Sequence, residues 1–483
     1  MSEIPRGPII QPSPEAQCED PSKRRTIRLL AVGSFVIGAA AMGIVESIRE
    51  EEEPVPQSSD DVDDINTIEV AEQQKGLTIP EDERTGKNIL LMLPTDEDSK
   101  CYASNGEHMG WIESFIEGMP QGTTIMLVVP LDVDRTCFEK LAKKHTNVKI
   151  AGVALDIPQG CVSNHMAYPQ DIFFPTGKTD KDGRFELIVS SLDPRLMELR
   201  FLSTVEKQLS KGVETPEIDI CEAMRFLGDN LLVEKHDKRF AGYEAPISCT
   251  GGDLQITRLP NGKTGCILGK LNLANMIMGI MYGSKDPETD KNPDLAIGRE
   301  GIELIKELYC RTLEVDECII IDEDELINNP ASATYGNMAY GTAFFHSDMM
   351  VKTASSPKDP SQQLAFVTNI PSLLGIGIST NTYRPDIPYL ERVQNQFKEL
   401  GYKVIKLPCG PWATMGYTNS IMFTRGDKKY VAVPQYGIDK DQRAVAIFEN
   451  EGFEVIKVDM SFVGELEAKD KTGSVHCRTV VLN

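Results

Sequence analysis

The feature that most constrains this chain is an internal echo. The segment Phe397-Lys-Glu-Leu-Gly-Tyr-Lys-Val-Ile-Lys-Leu407 returns 51 residues later as Phe448-Glu-Asn-Glu-Gly-Phe-Glu-Val-Ile-Lys-Val458. A fainter copy runs from Phe138 to Ile150. Each reads as the end of a helix, a turn and a strand. In the two clear copies the turn holds a glycine, the residue that ends helices in the left-handed conformation. Self-similarity at a fixed period marks a repeat architecture. The expectation is an α/β fold of repeated units around a common centre, with turns and strand ends supplying that centre.

Local patterns agree with it. Asn88 to Leu93 and Thr124 to Pro130 are short apolar runs of the kind that form buried strands. Pro388 to Leu400 places Tyr389, Leu390, Val393, Phe397 and Leu400 at helical spacing on one face.

Upstream of Lys87 the chain changes character. Residues 1–22 are polar and rich in Pro and Ser, and are expected to be a disordered tail. Lys23, Arg24, Arg25 and Arg28 then precede Leu29 to Val45, a stretch without a charge. At about 1.5 Å per residue it just spans a bilayer. Glu46 and Glu50 to Glu53 follow, so the positive-inside rule keeps the N-terminus in the cytoplasm. Residues 23–45 are therefore expected to be a transmembrane anchor. The alternative is a cleaved signal segment, with Ala39-Ala40-Ala41 as the small-residue site. Residues 46–86, which include Asp60, Asp61, Asp63 and Asp64, read as an acidic linker. Residues 87–483 are expected to be the folded body, lying outside the cytoplasm on an anchor, or secreted.

The net charge of -23 leaves no basic surface for nucleic acid and suits a cationic substrate. Eleven cysteines occur without a Cys-x-x-Cys pair or a zinc-like spacing, and they are too sparse for a disulfide scaffold. Nothing in the sequence speaks to oligomeric state.

Four stretches could carry chemistry. Gly473 to Asn483 reads as a glycine turn running into a β-branched strand, with Cys477 near its start. Phe344 to Val351 puts His346 and Asp348 on one face of a presumed strand, among apolar neighbours. Buried side by side, they must pair internally or face a pocket. Tyr168 to Phe174 sets Asp171 against an apolar run, and Gly416 to Ser420 offers Asn419. Each has a plain structural reading: a buried thiol, a satisfied pair, and two turn residues. Together they describe a site for a flat cation. Carboxylates grip a guanidinium by charge-assisted hydrogen bonds, a cysteine attacks its central carbon, and a histidine moves protons. His476 is a rival base beside Cys477; on a strand its side chain points to the opposite face, which makes it structural.

The ordered motifs resemble the guanidino-group modifying (pentein) superfamily, and within it agmatine deiminases and peptidylarginine deiminases. Pro169-Gln170-Asp171, Gly251-Gly252-Asp253-Leu254, His346-Ser347-Asp348, Tyr417-Thr418-Asn419, Val431-Ala432-Val433 with Pro434-Gln435-Tyr436-Gly437, and Val475-His476-Cys477-Arg478-Thr479 carry the resemblance, which spans residues 88–483. It implies a five-bladed, pseudo-symmetric α/β propeller. It makes Cys477 the nucleophile, His346 the general acid and base, Asp171 and Asp348 the guanidinium grip, and Asn419 the group that orients the nucleophile or the intermediate. Gln170, Arg195 and Asp253 become substrate contacts. A ureido group and ammonia are the products, through a Cys thiouronium adduct, and neither a metal nor an organic cofactor is required.

Two departures bear on substrate. Thr250 stands where agmatine and arginine deiminases carry an acid before the Gly-Gly pair. Gln170 before Asp171, and Asp193-Pro194-Arg195, look more like the peptidylarginine type. Peptidyl-arginine is thus the expected substrate. Agmatine or arginine deimination, amidino transfer, dimethylarginine hydrolysis and an inactive binding propeller are the alternatives.

Overall fold

The computed structural model describes residues 27–28, 78–92, 109–130, 140–141, 143–155, 174–190, 217–218, 239–245, 247–249, 251–282, 298–329, 346–369, 386–410, 415–461 and 474–483. The chain divides into two units. The smaller comprises residues 1–56 and 204–220, and its described part is one antiparallel pairing of Ile27–Arg28 with Glu217–Ile218. The expected membrane segment, 29–45, lies outside the described residues. Among those described, no helix is long and apolar enough to cross a membrane.

The larger unit is an α/β body with five sheets that share one strand order. In each, a leading strand pairs antiparallel with a middle strand, and the middle strand pairs parallel with a trailing one. The leading strands are Phe174–Thr179, Leu254–Arg258, Val351–Ser355, Ile421–Arg425 and Thr479–Val481. A parallel connection needs a crossover. Helices Lys270–Tyr282 and Arg299–Leu313, Asp386–Glu399, Lys440–Glu451 and Met109–Gly118 supply it in four sheets. In the last sheet, strand Thr479–Val481 from the end of the chain pairs with Asn88–Met92 from the start of the body, so the two ends close one sheet.

The echo in the sequence is the crossover of two neighbouring sheets. Gly401 and Gly452 have φ of 92° and 98°, in the left-handed region that glycine adopts without a Cβ clash. Each ends its helix with the same pair of bonds: Gly401 N–H to Lys398 O and Tyr402 N–H to Phe397 O, then Gly452 N–H to Glu449 O and Phe453 N–H to Phe448 O. The fainter copy leads into Lys149–Leu155, an added parallel strand on the last sheet. Tyr389, Leu390, Val393 and Phe397 are buried as expected, whereas Leu400 lies past the helix end and is exposed.

The body begins earlier than the composition indicates. Residues 78–84, read from their acidity as the end of the linker, are built into it, with Thr78, Asp82 and Arg84 buried. This short segment bonds to the leading strand of all five sheets. Ile79 N–H reaches Thr176 O, and Glu83 forms a two-toothed ion pair with Arg258. Glu81 pairs with Lys352, and Asp82 accepts Ser355 N–H. Thr424 donates to Asp82 O, and the Arg84 guanidinium donates to Val481 O and Pro175 O. Acidity here is not solvation: each buried acid has a cation or backbone donor brought by another sheet.

Candidate active site

Cys477, His346 and Asp348 come together, with Sγ, a ring nitrogen and a carboxylate oxygen all within 4.8 Å of one another. They reach this arrangement from different local structure than alternation along strands would give. Cys477 lies in a single helical turn, Val475–Arg478, and the β-branched strand starts only at Thr479. A helix leaves its first N–H groups unpaired. Ser474 does not cap this one; the Asn419 side-chain carbonyl does, accepting His476 N–H at 3.0 Å and Cys477 N–H at 3.3 Å. A partner from a different sheet therefore overrides the strand propensity of the run.

His346 precedes, and Asp348 lies within, a 3-10 turn, Ser347–Met349, that leads into Val351–Ser355. Asp253 holds this turn. Its Oδ1 accepts Ser347 N–H at 2.9 Å, and its Oδ2 accepts Asn272 N–H at 2.7 Å in the first turn of Lys270–Tyr282. Burial raises the Asp253 carboxyl well above the usual range and Asp348 adds to that, while the two amides pull it down. The expectation that Asp253 contacts substrate gives way to a support role, because its carboxylate is fully buried and occupied by backbone. Gly252 lets the turn approach: a Cβ there would sit 2.6 Å from His346 Nδ1 and 3.2 Å from Asp348 Oδ2.

Asn419 Nδ2 donates to Asp348 Oδ2 at 2.8 Å and to Cys477 Sγ at 3.0 Å. The sulfur lies 3.4 Å from the same Oδ2. Asp348 Oδ1 is buried and has no hydrogen-bond partner among the described residues. One oxygen is thus fixed by protein, and the other is an uncommitted acceptor beside a thiol and an imidazole. A nitrogen, a sulfur and a carboxylate at this spacing could in principle ligate a soft divalent ion. The Asn419 amide points its hydrogens at two of the three, occupying lone pairs that a metal would need, so the set fits a metal poorly.

Strand geometry would make His476 structural and turn it away from the site; the helical turn removes that geometry. Its ring is buried, with Nδ1 2.8 Å from Asp348 Oδ2 and Nε2 2.9 Å from Glu81 Oε2. Its pKa is raised: burial and the Lys352 charge oppose protonation, but Glu81 and Asp348 outweigh them. Glu81 is held ionised, its pKa lowered despite burial by Lys352 and His476. The sequence reading missed Glu81 and Lys352, and no local signal marked either. Asp171, Gln170, Arg195 and Thr250 lie outside the described residues.

Among solved structures, the chain is similar to an agmatine deiminase from C. jejuni, with 13% identity, coverage of 84% of this chain and 95% of that one, and a TM-score of 0.47. It is also similar to the agmatine deiminase of Enterococcus faecalis, at 13% identity, 84% and 96% coverage, and a TM-score of 0.45. No protein-family model matches the chain. No curated protein matches it.

Proposed function

We propose that this body is a five-bladed α/β propeller of the guanidino-group modifying type and that it hydrolyses a guanidinium to a ureido group and ammonia. The observation that carries the reading is the juxtaposition of Cys477, His346 and Asp348, with one buried Asp348 oxygen left to accept a hydrogen bond. A guanidinium N–H is the donor that oxygen suits. Asp171 supplies the second carboxylate.

The Cys477 thiolate adds to the guanidinium carbon, forming a C–S bond. His346 protonates one nitrogen, the C–N bond breaks, and ammonia leaves. A water then gives His346 a proton and adds to the thiouronium carbon. The C–S bond breaks, the hydroxyl proton passes to solvent as the carbonyl forms, and the thiolate returns as the ureido product departs. Asn419 Nδ2 steadies the sulfur at both ends of this cycle.

We favour peptidyl-arginine as substrate, on Gln170 before Asp171 and on Arg195 as a contact to the peptide. Residues 29–45 would tether the body outside the cytoplasm, where a protein substrate suits a tethered enzyme. A colorimetric ureido assay with an arginine-blocked peptide, arginine and agmatine tests the reading. Product from the peptide alone supports the full proposal, and product from agmatine or arginine alone moves the substrate to the free metabolite. No product from any of them, with folded protein, overturns the deiminase reading, as does unchanged turnover in Cys477→Ser.

A further inference from the structure

We propose that Glu81, carried by the segment that threads the five leading strands, is a positioning residue for Asp348 and acts on it through His476. The inference rests on the deiminase reading for its kinetic consequence but not for its geometry.

Two nitrogen donors, Asn419 and His476, fix the direction of the Asp348 carboxylate, and Cys477 Sγ lies against the same oxygen. Both end on Oδ2, so together they decide where the unpartnered Oδ1 points. The His476 ring can donate to Asp348 and to Glu81 at once only if both its nitrogens carry hydrogen; a neutral ring would turn a lone pair towards one carboxylate. Glu81 and Asp348 together favour the doubly protonated ring. Its own direction is set from two further sheets: Oε1 takes Lys352 Nζ at 2.7 Å and Met422 N–H at 2.8 Å, leaving Oε2 for His476.

The result is a buried row of alternating charge: Asp348, His476, Glu81 and Lys352. Beside this row lie Asp253, His346 and Cys477, all at Asp348, and Arg84, which lines with Glu81, Lys352 and His476 a cavity of about 20 Å³, room for one water. Arg84 is tied to the carbonyls of Ile79, Pro175 and Val481. If Glu81 lost its charge, Asp348 alone would offset the Lys352 charge on His476. The ring would give up a proton more readily, and Asp348 would keep a neutral, weaker N–H in place of a charged one. Glu81 touches neither the sulfur nor the space before it, so its effect is transmitted and not direct.

The test uses the full chain with Glu81→Gln, and Glu83→Gln as the control from the same segment, since Glu83 pairs with Arg258 and does not reach His476. Alkylation of Cys477 by iodoacetamide is followed by peptide mass spectrometry from about pH 6 to pH 9. Losing a cation near the sulfur disfavours the thiolate, so Glu81→Gln is expected to move the profile to higher pH by about one unit, with Glu83→Gln unmoved. On a guanidine substrate, Glu81→Gln is expected to lower kcat about tenfold or more and to raise KM. The alkylation arm needs no turnover, so a failed deiminase reading leaves it standing. A folded Glu81→Gln protein with the wild-type alkylation profile overturns the inference, even if turnover falls, because that is the signature of general loosening. Should Glu81→Gln not fold, Glu81→Asp withdraws the carboxylate by one methylene and carries the same expectation; an unmoved profile there overturns the inference equally.

Discussion

Asn419 holds Cys477 from two sides: its Nδ2 lies 3.0 Å from the sulfur, and its Oδ1 accepts the Cys477 backbone N–H at 3.3 Å. One side chain thus caps the helical turn that bears the thiol and orients the thiol itself. A turn of four residues has too few internal hydrogen bonds to stand alone, so the amide is part of its structure as well as of the site.

Replacing Asn419 with Ala is accordingly expected to cost about 1–3 kcal/mol of stability, because two backbone donors lose their acceptor. Turnover is expected to fall by about 100-fold. Urea denaturation and the ureido assay check the two effects separately. Asn419→Asp keeps the cap but sets a like charge beside Asp348 and the thiolate; it is expected to be folded and at least as inactive.

Gly252→Ala tests the approach of the His346 turn. The added methyl would lie 2.6 Å from His346 Nδ1, inside contact distance, so the ring must shift. A displacement of about 1 Å at a reacting group costs about 100-fold in rate. Circular dichroism should stay close to wild type while kcat falls by that order.

Stability should depend on pH through the buried charge row. His476 has a raised pKa, so its contribution is fully present below the ordinary histidine value of about 6.5 and is lost as pH rises through the higher folded value. Glu81 has a lowered pKa, so its contribution is present above the ordinary value of about 4.3 and is lost in acid. Thermal melts of wild type and His476→Gln should therefore diverge most between about pH 5 and pH 6.5 and converge as pH rises through the higher folded value. A constant gap across that range would contradict the assignment.

Truncation separates linker from body. A chain starting at residue 78 keeps the segment that binds the five leading strands. One starting at residue 87 removes Glu81, Asp82 and Arg84, leaving buried Lys352 and half-buried Lys429 without their acids. Removing one partner of a buried pair costs about 3–5 kcal/mol. The shorter protein is expected to be insoluble or to lose several kcal/mol by urea denaturation, while the longer one matches the full chain.

Features that depend on neighbours in the chain were legible from the residues. The echo ending at Gly401 and Gly452 was visible because a helix, its glycine cap and the following strand are local, and the cap needs a residue that tolerates positive φ. The runs at Asn88 and Thr124 were legible because a strand buried on both faces must be apolar throughout. Cys477, His346, Asp348 and Asn419 could be singled out by type and order, although not by distance.

Local reasoning failed where the partner is remote. Thr479 to Leu482 have the composition of a strand, and the preceding run through Cys477 was read as its start. Asn419, more than fifty positions earlier, supplies the helical cap that makes it a turn instead. That change of geometry brings His476 onto Asp348, where strand alternation had turned it away. Glu81, Asp82 and Glu83 have the composition of a solvated tether, and only Lys352, Lys429 and Arg258, from three different sheets, turn them into buried or half-buried ion pairs. The repeating unit and the candidate site residues are legible in the chain alone, because periodicity and residue chemistry are properties of the chain. Which acids are solvated, and which histidine meets which carboxylate, depend on desolvation and on partners from other sheets, which only the folded chain brings within hydrogen-bond reach.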